Sequence, residues 1–192
     1  MVAGALAGWL VVYLGAGLQM FSVGTMLGWI PSYLNRYFAM DASEAGLKAG
    51  VLVLISAFGM TFGGAFVDRL SRAAPARRLG ITAAYAGITA LLFAAAFLLQ
   101  PGFAQLALIA VAMFFSGAHN GPCSAIVTEV NDPRLHATVL ATYALSLSLL
   151  GMAAGPFVIG LVADRSGLRE AMLLMPAASV AACVCFLLGR RH

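Results

Sequence analysis

Two polar residues in the middle of a long apolar run are the first candidates for chemistry. His119 and Asn120 follow the stretch FFSGA. An imidazole can carry a proton or bind a polar group, and an amide can both donate and accept hydrogen bonds. Ser116, Asn120 and Ser124 recur every four residues, so a helix would place them along one face. We predict that this stripe lines a cavity. For His119, a hydrogen bond between helices and a lipid-facing position remain alternatives.

Two other apolar runs carry similar polar stripes. Near the N-terminus, Gln19, Ser22 and Trp29 share one helical face, and Gln19 either bonds a neighbouring helix or lines a cavity. Further along, Tyr143 lies beside a stripe of hydroxyl residues. The residues predicted to line a substrate cavity are Gln19, Ser22, Trp29, Ser116, His119, Asn120, Ser124, Thr142, Tyr143 and Ser146.

The same residues argue against an enzyme. Ser116 and His119 are three apart, but a serine nucleophile needs a base aimed at its hydroxyl and an oxyanion site. The other histidines, His136 and His192, lie near the ends of apolar runs, and no serine motif is present. The three cysteines have no metal-ligand spacing and are expected to be small buried residues. We therefore expect neither catalysis nor a metal or other cofactor.

The elements that hold these residues are predicted from composition. The chain has 192 residues, of which 62% are hydrophobic and 9% are charged, whereas soluble domains carry about 25% charged residues. Lipid is therefore the expected solvent. A β-barrel is excluded because runs such as LLFAAAFLL do not alternate. We predict an all-α membrane protein, one bundle over residues 1–192, with six transmembrane helices at about 5–35, 48–67, 79–99, 104–128, 136–163 and 170–189.

Two details of these spans are also predicted. Gly59 and Gly63 are four residues apart in the second span, which favours close packing of two helices. The sixth span is almost featureless, and we expect it to face lipid. Asp41 or Ser43 is expected to cap the second span, with Glu44 nearby.

The basic residues predict the orientation. Seven of the eleven lie on the side of the termini, which favours cytoplasmic termini. Headgroups and this positive-inside bias account for the net charge of +4, so no nucleic-acid partner is expected. The acidic turn EVNDPR is on the same side as the arginines, so Glu129 or Asp132 is expected to pair with Arg69 or Arg72.

The loop after the second span resembles a known signature. The pattern G-x-x-x-D-(R/K)-x-G-(R/K)-(R/K) of the major facilitator superfamily is matched except at Ser71 and Ala73, and the four matching residues are Gly64, Asp68, Arg69 and Arg72. Such a degenerate copy is typical of the C-terminal half of the family. WIPSYL with DASEAG, EVNDPRLHAT and GPFVIGLVADRSG are similar to its seventh helix, its loop between helices ten and eleven, and the end of helix eleven. The closest similarity is to spinster-like and organic-anion transporters.

The resemblance implies one half of a twelve-helix transporter. Such a protein binds a small organic solute between two six-helix halves and works by alternating access, with proton or ion coupling or by facilitated diffusion. Its partners would be the solute, the bilayer of a bacterial inner (cell) membrane and a second half, either the rest of a longer protein, a separate chain or another copy. A non-transporting six-helix partner or truncated remnant is the alternative. The residues expected to gate the conformations are Gly64, Asp68, Arg69, Arg72, Glu129 and Asp132.

Overall fold

Six long helices form the protein in the computed structural model, which describes residues 2–71, 77–129 and 131–190. Each is long and apolar enough to cross a membrane. No strand occurs within these ranges. The predicted all-helical membrane fold is therefore confirmed. In chain order, the first to sixth spans are Leu10–Phe38, Ala42–Ser71, Arg77–Leu98, Phe103–Glu129, Pro133–Ser166 and Leu168–Gly189, and the first helix itself begins at Val2.

Several of these spans depart from a regular α-helix. The second has α-helices at Ala42–Phe58 and Gly64–Ser71, separated by a π-helical segment at Gly59–Gly63. The fourth is interrupted by a single turn at His119, between helices Phe103–Ala118 and Asn120–Glu129. The sixth consists of Leu168–Met172 and Leu174–Gly189. The fifth passes through a 3₁₀ turn (Pro133–Leu135), an α-helix (His136–Ser146), a π-helical segment (Leu147–Ala153) and an α-helix (Ala154–Ser166).

The second span begins earlier than predicted because its cap recruits polar residues into the helix. The backbone amide of Glu44 donates to Asp41 Oδ1 at 2.8 Å, as expected of an N-cap. Glu44 then pairs with Lys48 at 2.7 Å, one turn along the same helix. The charged segment before the apolar run is thus helical.

The first span lies at the centre of the bundle and contacts the sixth, fifth, second and fourth spans. The sixth span packs between the first and the third. The prediction that it faces lipid fits one side only, where Val180 and Val184 are about half exposed. The other side carries a fully buried stripe, formed by Met175, Ser179, Ala182 and Phe186. These four side chains are uncharged, and their spacing of three or four residues places them on one face of the helix.

One end of the bundle is closed by polar contacts. Gln105 Nε2 donates to the hydroxyl of Tyr33 and to the carbonyl of Ala96, both at 2.9 Å. The guanidinium of Arg169 donates to the carbonyls of Leu98 and Leu99, at 3.3 and 2.9 Å. These are last-turn carbonyls of the third span, where a cation is favourable.

Glycines bring the second and fourth spans into backbone contact. A Cβ at Gly59 would collide with the carbonyl oxygen of Phe114, and one at Gly63 would collide with Ala118. A Cβ at Gly117 would likewise collide with the carbonyl oxygen of Ser56. The close packing predicted for Gly59 and Gly63 is therefore present.

Replacing Gly59 by alanine should destabilise the fold, whereas Gly50→Ala in the same span should not. The new methyl at Gly59 has no room, so Gly59→Ala is expected to lower the free energy of unfolding by about 1–3 kcal/mol. Gly50 has open space around its Cα, and Gly50→Ala should raise it by about 0.5–1 kcal/mol. Unfolding by sodium dodecyl sulfate in bicelles measures both. Equal effects would contradict the packing described.

Candidate functional site

A groove of about 180 Å³ opens between the first, second and fourth spans, about halfway along each. Its polar lining residues are Ser56, His119 and Asn120. Leu27 and Met60 at its edge are 39% and 48% exposed, so the groove opens to the outside of the bundle. The methionines Met20, Met60 and Met113 line it together with valine, leucine, alanine and glycine residues.

His119 occupies the turn that interrupts the fourth span, and its side chain is fully buried. Its Nδ1 lies 2.5 Å from the carbonyl oxygen of Ser116. A carbonyl can only accept, so Nδ1 carries the hydrogen. Within the described residues Nε2 has no hydrogen-bond partner. The ring bonds the carbonyl of Ser116 and not its hydroxyl, so this pair does not have the geometry of a serine nucleophile and its base.

Asn120 joins the fourth span to the fifth. Its Oδ1 accepts from the hydroxyl of Tyr143 at 3.0 Å, and its Nδ2 donates to the sulfur of Met60 at 3.6 Å. The ring of Tyr143 packs against that of Tyr13 in the first span, with centroids 5.9 Å apart. Ser146 donates to the backbone carbonyl of Tyr13 at 3.0 Å. Three of the predicted cavity residues, Asn120, Tyr143 and Ser146, thus lie in one network across four spans.

The polar stripe of the first span points into the bundle. Gln19 is fully buried, and neither of its polar side-chain atoms has a partner in the described part of the chain. Ser22 lies 3.2 Å from the hydroxyl of Ser179 in the sixth span. Trp29 Nε1 donates to the carbonyl of Pro156 in the fifth span at 2.9 Å. These side chains contact neighbouring spans, and none of the three lines the groove.

The remaining stripe residues bond mostly within their own helices. Ser124 donates to the carbonyl of Gly121 at 2.8 Å, and Thr142 donates to that of Thr138 at 3.0 Å. The hydroxyl of Ser116 is buried without a partner among the described residues. Of the ten residues predicted to line a cavity, His119 and Asn120 are the two that line this groove.

At one end of the fourth span, Arg78 bridges two carboxylates. Its guanidinium lies 3.4 Å from Asp68 and also pairs with Glu129. The Arg78 side chain is 13% exposed, while those of Asp68 and Glu129 are about half exposed. The predicted partner of Glu129 was Arg69 or Arg72. Glu129 pairs with Arg78, because the first turn of the third span contacts both the second and the fourth spans. Arg72 lies outside the described residues, so a pairing of Glu129 with Arg72 stays a prediction.

The other residues predicted to gate have different positions. Gly64 faces Gly121, where a Cβ would lie 3.2 Å from the Gly64 Cα. Arg69 is exposed, and Arg72 lies outside the described residues. Asp132 accepts from the backbone amide of Arg134 at 2.9 Å and caps a 3₁₀ turn. Gly64, Asp68 and Glu129 therefore belong to the contact between the second, third and fourth spans, and Asp132 caps a turn.

Sequence reasoning missed Arg78, Tyr13 and the three methionines. Arg78 lies in the first turn of the third span, and its position at the start of an apolar run was the available signal. Tyr13 and the methionines stand in apolar runs and carry no local signal. Their contacts depend on which spans are neighbours.

Comparison with known proteins gives a family and a set of similar folds. The family model described as "Major Facilitator Superfamily" matches residues 12–192. No curated protein matches the sequence with significance. Among solved structures, a bacterial homologue of the human lysosomal transporter Spinster, inward-facing and unoccupied, aligns with a TM-score of 0.75 at 20% identity, over 96% of this chain and 47% of that one.

Two further solved structures align over 96% of this chain. The inward-facing, occupied form of the Spinster homologue has a TM-score of 0.76 at 21% identity, and 49% of its chain is covered. A mutant of the peptide transporter POT in complex with alafosfalin has a TM-score of 0.80 at 16% identity, and 38% of its chain is covered. These likenesses show the fold, and this chain spans half or less of each of these structures.

The Arg78–Glu129 pair should show a measurable coupling energy. Arg78→Gln, Glu129→Gln and the double variant form a cycle, and we expect a coupling of about 1 kcal/mol in the free energy of unfolding, because one partner is largely shielded from solvent. The same cycle with Arg77→Gln, an exposed arginine next in sequence, is the control. A coupling energy equal to that of the control would contradict a stabilising Arg78–Glu129 bridge.

Proposed function

Because the chain belongs to the major facilitator superfamily, we propose that it forms one half of a secondary transporter for a small organic solute. It is a multi-pass integral membrane protein of a transporter family. The observation that carries the proposal is the groove. It lies about halfway along three spans, opens outward and is lined by the polar residues Ser56, His119 and Asn120 among apolar side chains. Sites of this kind in transporters lie near the bilayer midplane, between two repeats.

A second six-helix half is proposed to cover the open side of the groove. In the most apolar stretches of the second and fifth spans, 33% and 17% of residues are buried, compared with 56% in the first. The fifth span exposes Leu145 and Leu149 together with the hydroxyl residue Thr142. The covering half would be the rest of a longer protein, a separate chain or another copy. The second candidate function, a non-transporting partner or truncated remnant, would use the same open face for packing alone.

Alternating access would use the bridge at Arg78 as a gate. The bridge holds the ends of the second, third and fourth spans together, so it favours the conformation in which these ends are closed. Breaking it releases half-exposed carboxylates into water at a cost of about 1 kcal/mol or less each. A pair of this strength biases an equilibrium without locking it. We propose that the protein lies in a bacterial inner membrane, with this end of the bundle and both termini in the cytoplasm. Coupling of transport to a proton or another ion is also part of the proposal.

The transport proposal predicts that groove variants lose flux. Vesicles containing the protein as purified from its membrane are loaded with a cell extract of small organic solutes, and mass spectrometry follows which solutes leave. We expect His119→Ala and Asn120→Ala each to reduce the flux of the transported solute by about tenfold, the effect of losing about 1.4 kcal/mol of hydrogen bonding.

Ser124→Ala is the matched control for this experiment. Ser124 lies on the same span and donates a hydrogen bond within its own helix, outside the groove, so the flux through the Ser124→Ala variant should be unchanged. Thermal unfolding of each variant separates loss of folding from loss of transport. Normal flux in both groove variants would exclude the groove as the route. Absence of any flux from the wild type would favour the non-transporting alternative.

If a second half covers this face, two exposed leucines should have different neighbours in the membrane. A photoreactive benzoylphenylalanine at Leu149, on the fifth span, should crosslink to protein in native membranes, because the second half lies over this face. The same residue at Leu91, on the third span, should crosslink to lipid alone. Leu149 is 59% exposed and Leu91 is 73% exposed, so the two positions are comparably accessible. Lipid products from both positions would rule out the proposed partner face.

A further inference from the structure

Two arginines lie at the same end of the third and sixth spans, outside the groove that the first, second and fourth spans form. Arg77 is the first residue of the third span, and Arg190 directly follows the last helical residue of the sixth span, Gly189. The two spans pack along each other. Both arginines therefore stand at the boundary of the apolar spans, which is the level of the phospholipid headgroups.

The side chain of Arg190 folds back onto the third span. A Cβ built on Gly80 would lie 3.3 Å from Nη1 and 3.7 Å from Cζ of Arg190. The guanidinium thus occupies the space that a side chain at Gly80 would need. Arg77 is exposed and stands three residues before Gly80, and residues at this spacing are neighbours on a helix surface. The positions that the two cations occupy are therefore one helical turn apart.

Within the described residues, no carboxylate pairs with either of these arginines. The ion pairs found there join Glu44 to Lys48, and join Asp68 and Glu129 to Arg78. Like charges repel one another more strongly beside a low-dielectric surface than in bulk water. An anion bound between Arg77 and Arg190 would replace this repulsion with two attractions.

The surroundings of the pair favour an anion that carries alkyl chains. Along the same two spans the exposed large side chains include Leu91 on the third and Val184 and Leu187 on the sixth. Arg69 and Arg134 are also exposed. These two arginines belong to the second and fifth spans, whose open face we propose a second half covers. Arg77 and Arg190 are thus the pair that stands above a lipid-facing surface.

We propose that Arg77 and Arg190 bind the phosphate of an anionic phospholipid, whose acyl chains lie along the exposed apolar surface of the third and sixth spans. The planar guanidinium donates two parallel hydrogen bonds to phosphate oxygens, and basic sites between spans at a membrane surface suit such headgroups. The lipid would hold the ends of these two spans together. The site lies apart from the groove, so the inference goes beyond the transport proposal and does not depend on it.

The test measures the lipid that the whole protein retains. The purified protein in detergent is titrated with phosphatidylglycerol or with phosphatidylcholine, and native mass spectrometry counts the bound lipids. One phosphatidylglycerol should bind about tenfold more tightly than phosphatidylcholine, and Arg77→Gln with Arg190→Gln should remove this preference, since each basic residue near an anionic headgroup contributes several-fold. Equal affinities of the wild type for the two lipids would overturn the proposal.

Two controls separate a built site from general attraction between charges. Arg134→Gln with Arg165→Gln changes the net charge equally, at two exposed arginines of the fifth span, and should keep the preference. A loss as large as that of the Arg77 and Arg190 variant would leave only non-specific attraction and overturn the site. Inorganic phosphate should not displace the lipid at millimolar concentration. Full displacement would show that the arginines bind a free anion and would contradict the lipid assignment.

A substitution that keeps both arginines tests the geometry itself. Gly80→Leu places a side chain where the guanidinium of Arg190 lies, so it should weaken the binding of phosphatidylglycerol about as much as the double arginine variant does. Gly50→Leu is the matched control, because Gly50 has open space around it. Thermal unfolding of both variants checks that they are folded. An unchanged affinity in a folded Gly80→Leu variant would contradict the position assigned to Arg190.

Discussion

A chain in lipid has to satisfy its backbone hydrogen bonds internally, and the rest of this structure depends on that constraint. Regular helix is the simplest solution, so each irregular stretch needs another span against it. The π-helical turn at Gly59–Gly63 lies against Phe114 and Ala118, and that at Leu147–Ala153 lies against Met20. In both cases a glycine removes the side chain that would hold the backbones apart. One side of each irregular turn is therefore packed against another span, while Met60, Phe62 and Leu149 on the other side are exposed.

The same constraint keeps charged residues out of the middle of the spans, so the uncharged polar groups found there have to form the hydrogen bonds at membrane depth. Every aspartate, glutamate, lysine and arginine lies near the end of a predicted span or between spans. At membrane depth the hydrogen bonds come from hydroxyls, amides and one imidazole. Most of these join spans, as Ser22 joins Ser179 and Tyr143 joins Asn120. Both polar atoms of Gln19, the hydroxyl of Ser116 and Nε2 of His119 are buried without a hydrogen-bond partner among the described residues. Of these three residues, His119 is the one that lines the groove.

The sequence was sufficient for the six spans because an apolar run of about 20 residues has few alternatives in a membrane. Its polar stripes located His119 and Asn120 because histidine and asparagine are costly there. It could not say which spans are neighbours. It therefore predicted neither the buried stripe of the sixth span nor the pairing of Glu129 with Arg78. Periodicity shows which residues share a face of a helix, but not which helix lies opposite that face. Ser22 and Trp29 face other spans of the same bundle, the sixth and the fifth.

The glycine seam connects the proposed gate to the groove. Along the second and fourth spans, Gly59 meets Phe114 beside the groove, Gly63 meets Ala118, and Gly64 meets Gly121. The Arg78 bridge between Asp68 and Glu129 closes the far end of this seam. Close-packed backbones have no slack to absorb a shift, so movement at the bridge must slide or separate the seam as a unit. Gly117 and His119 lie beside that seam and line the groove, so in the proposed transporter an opening of the bridged end would change the groove's shape. A substitution at the bridge would thus alter solute access without touching the solute.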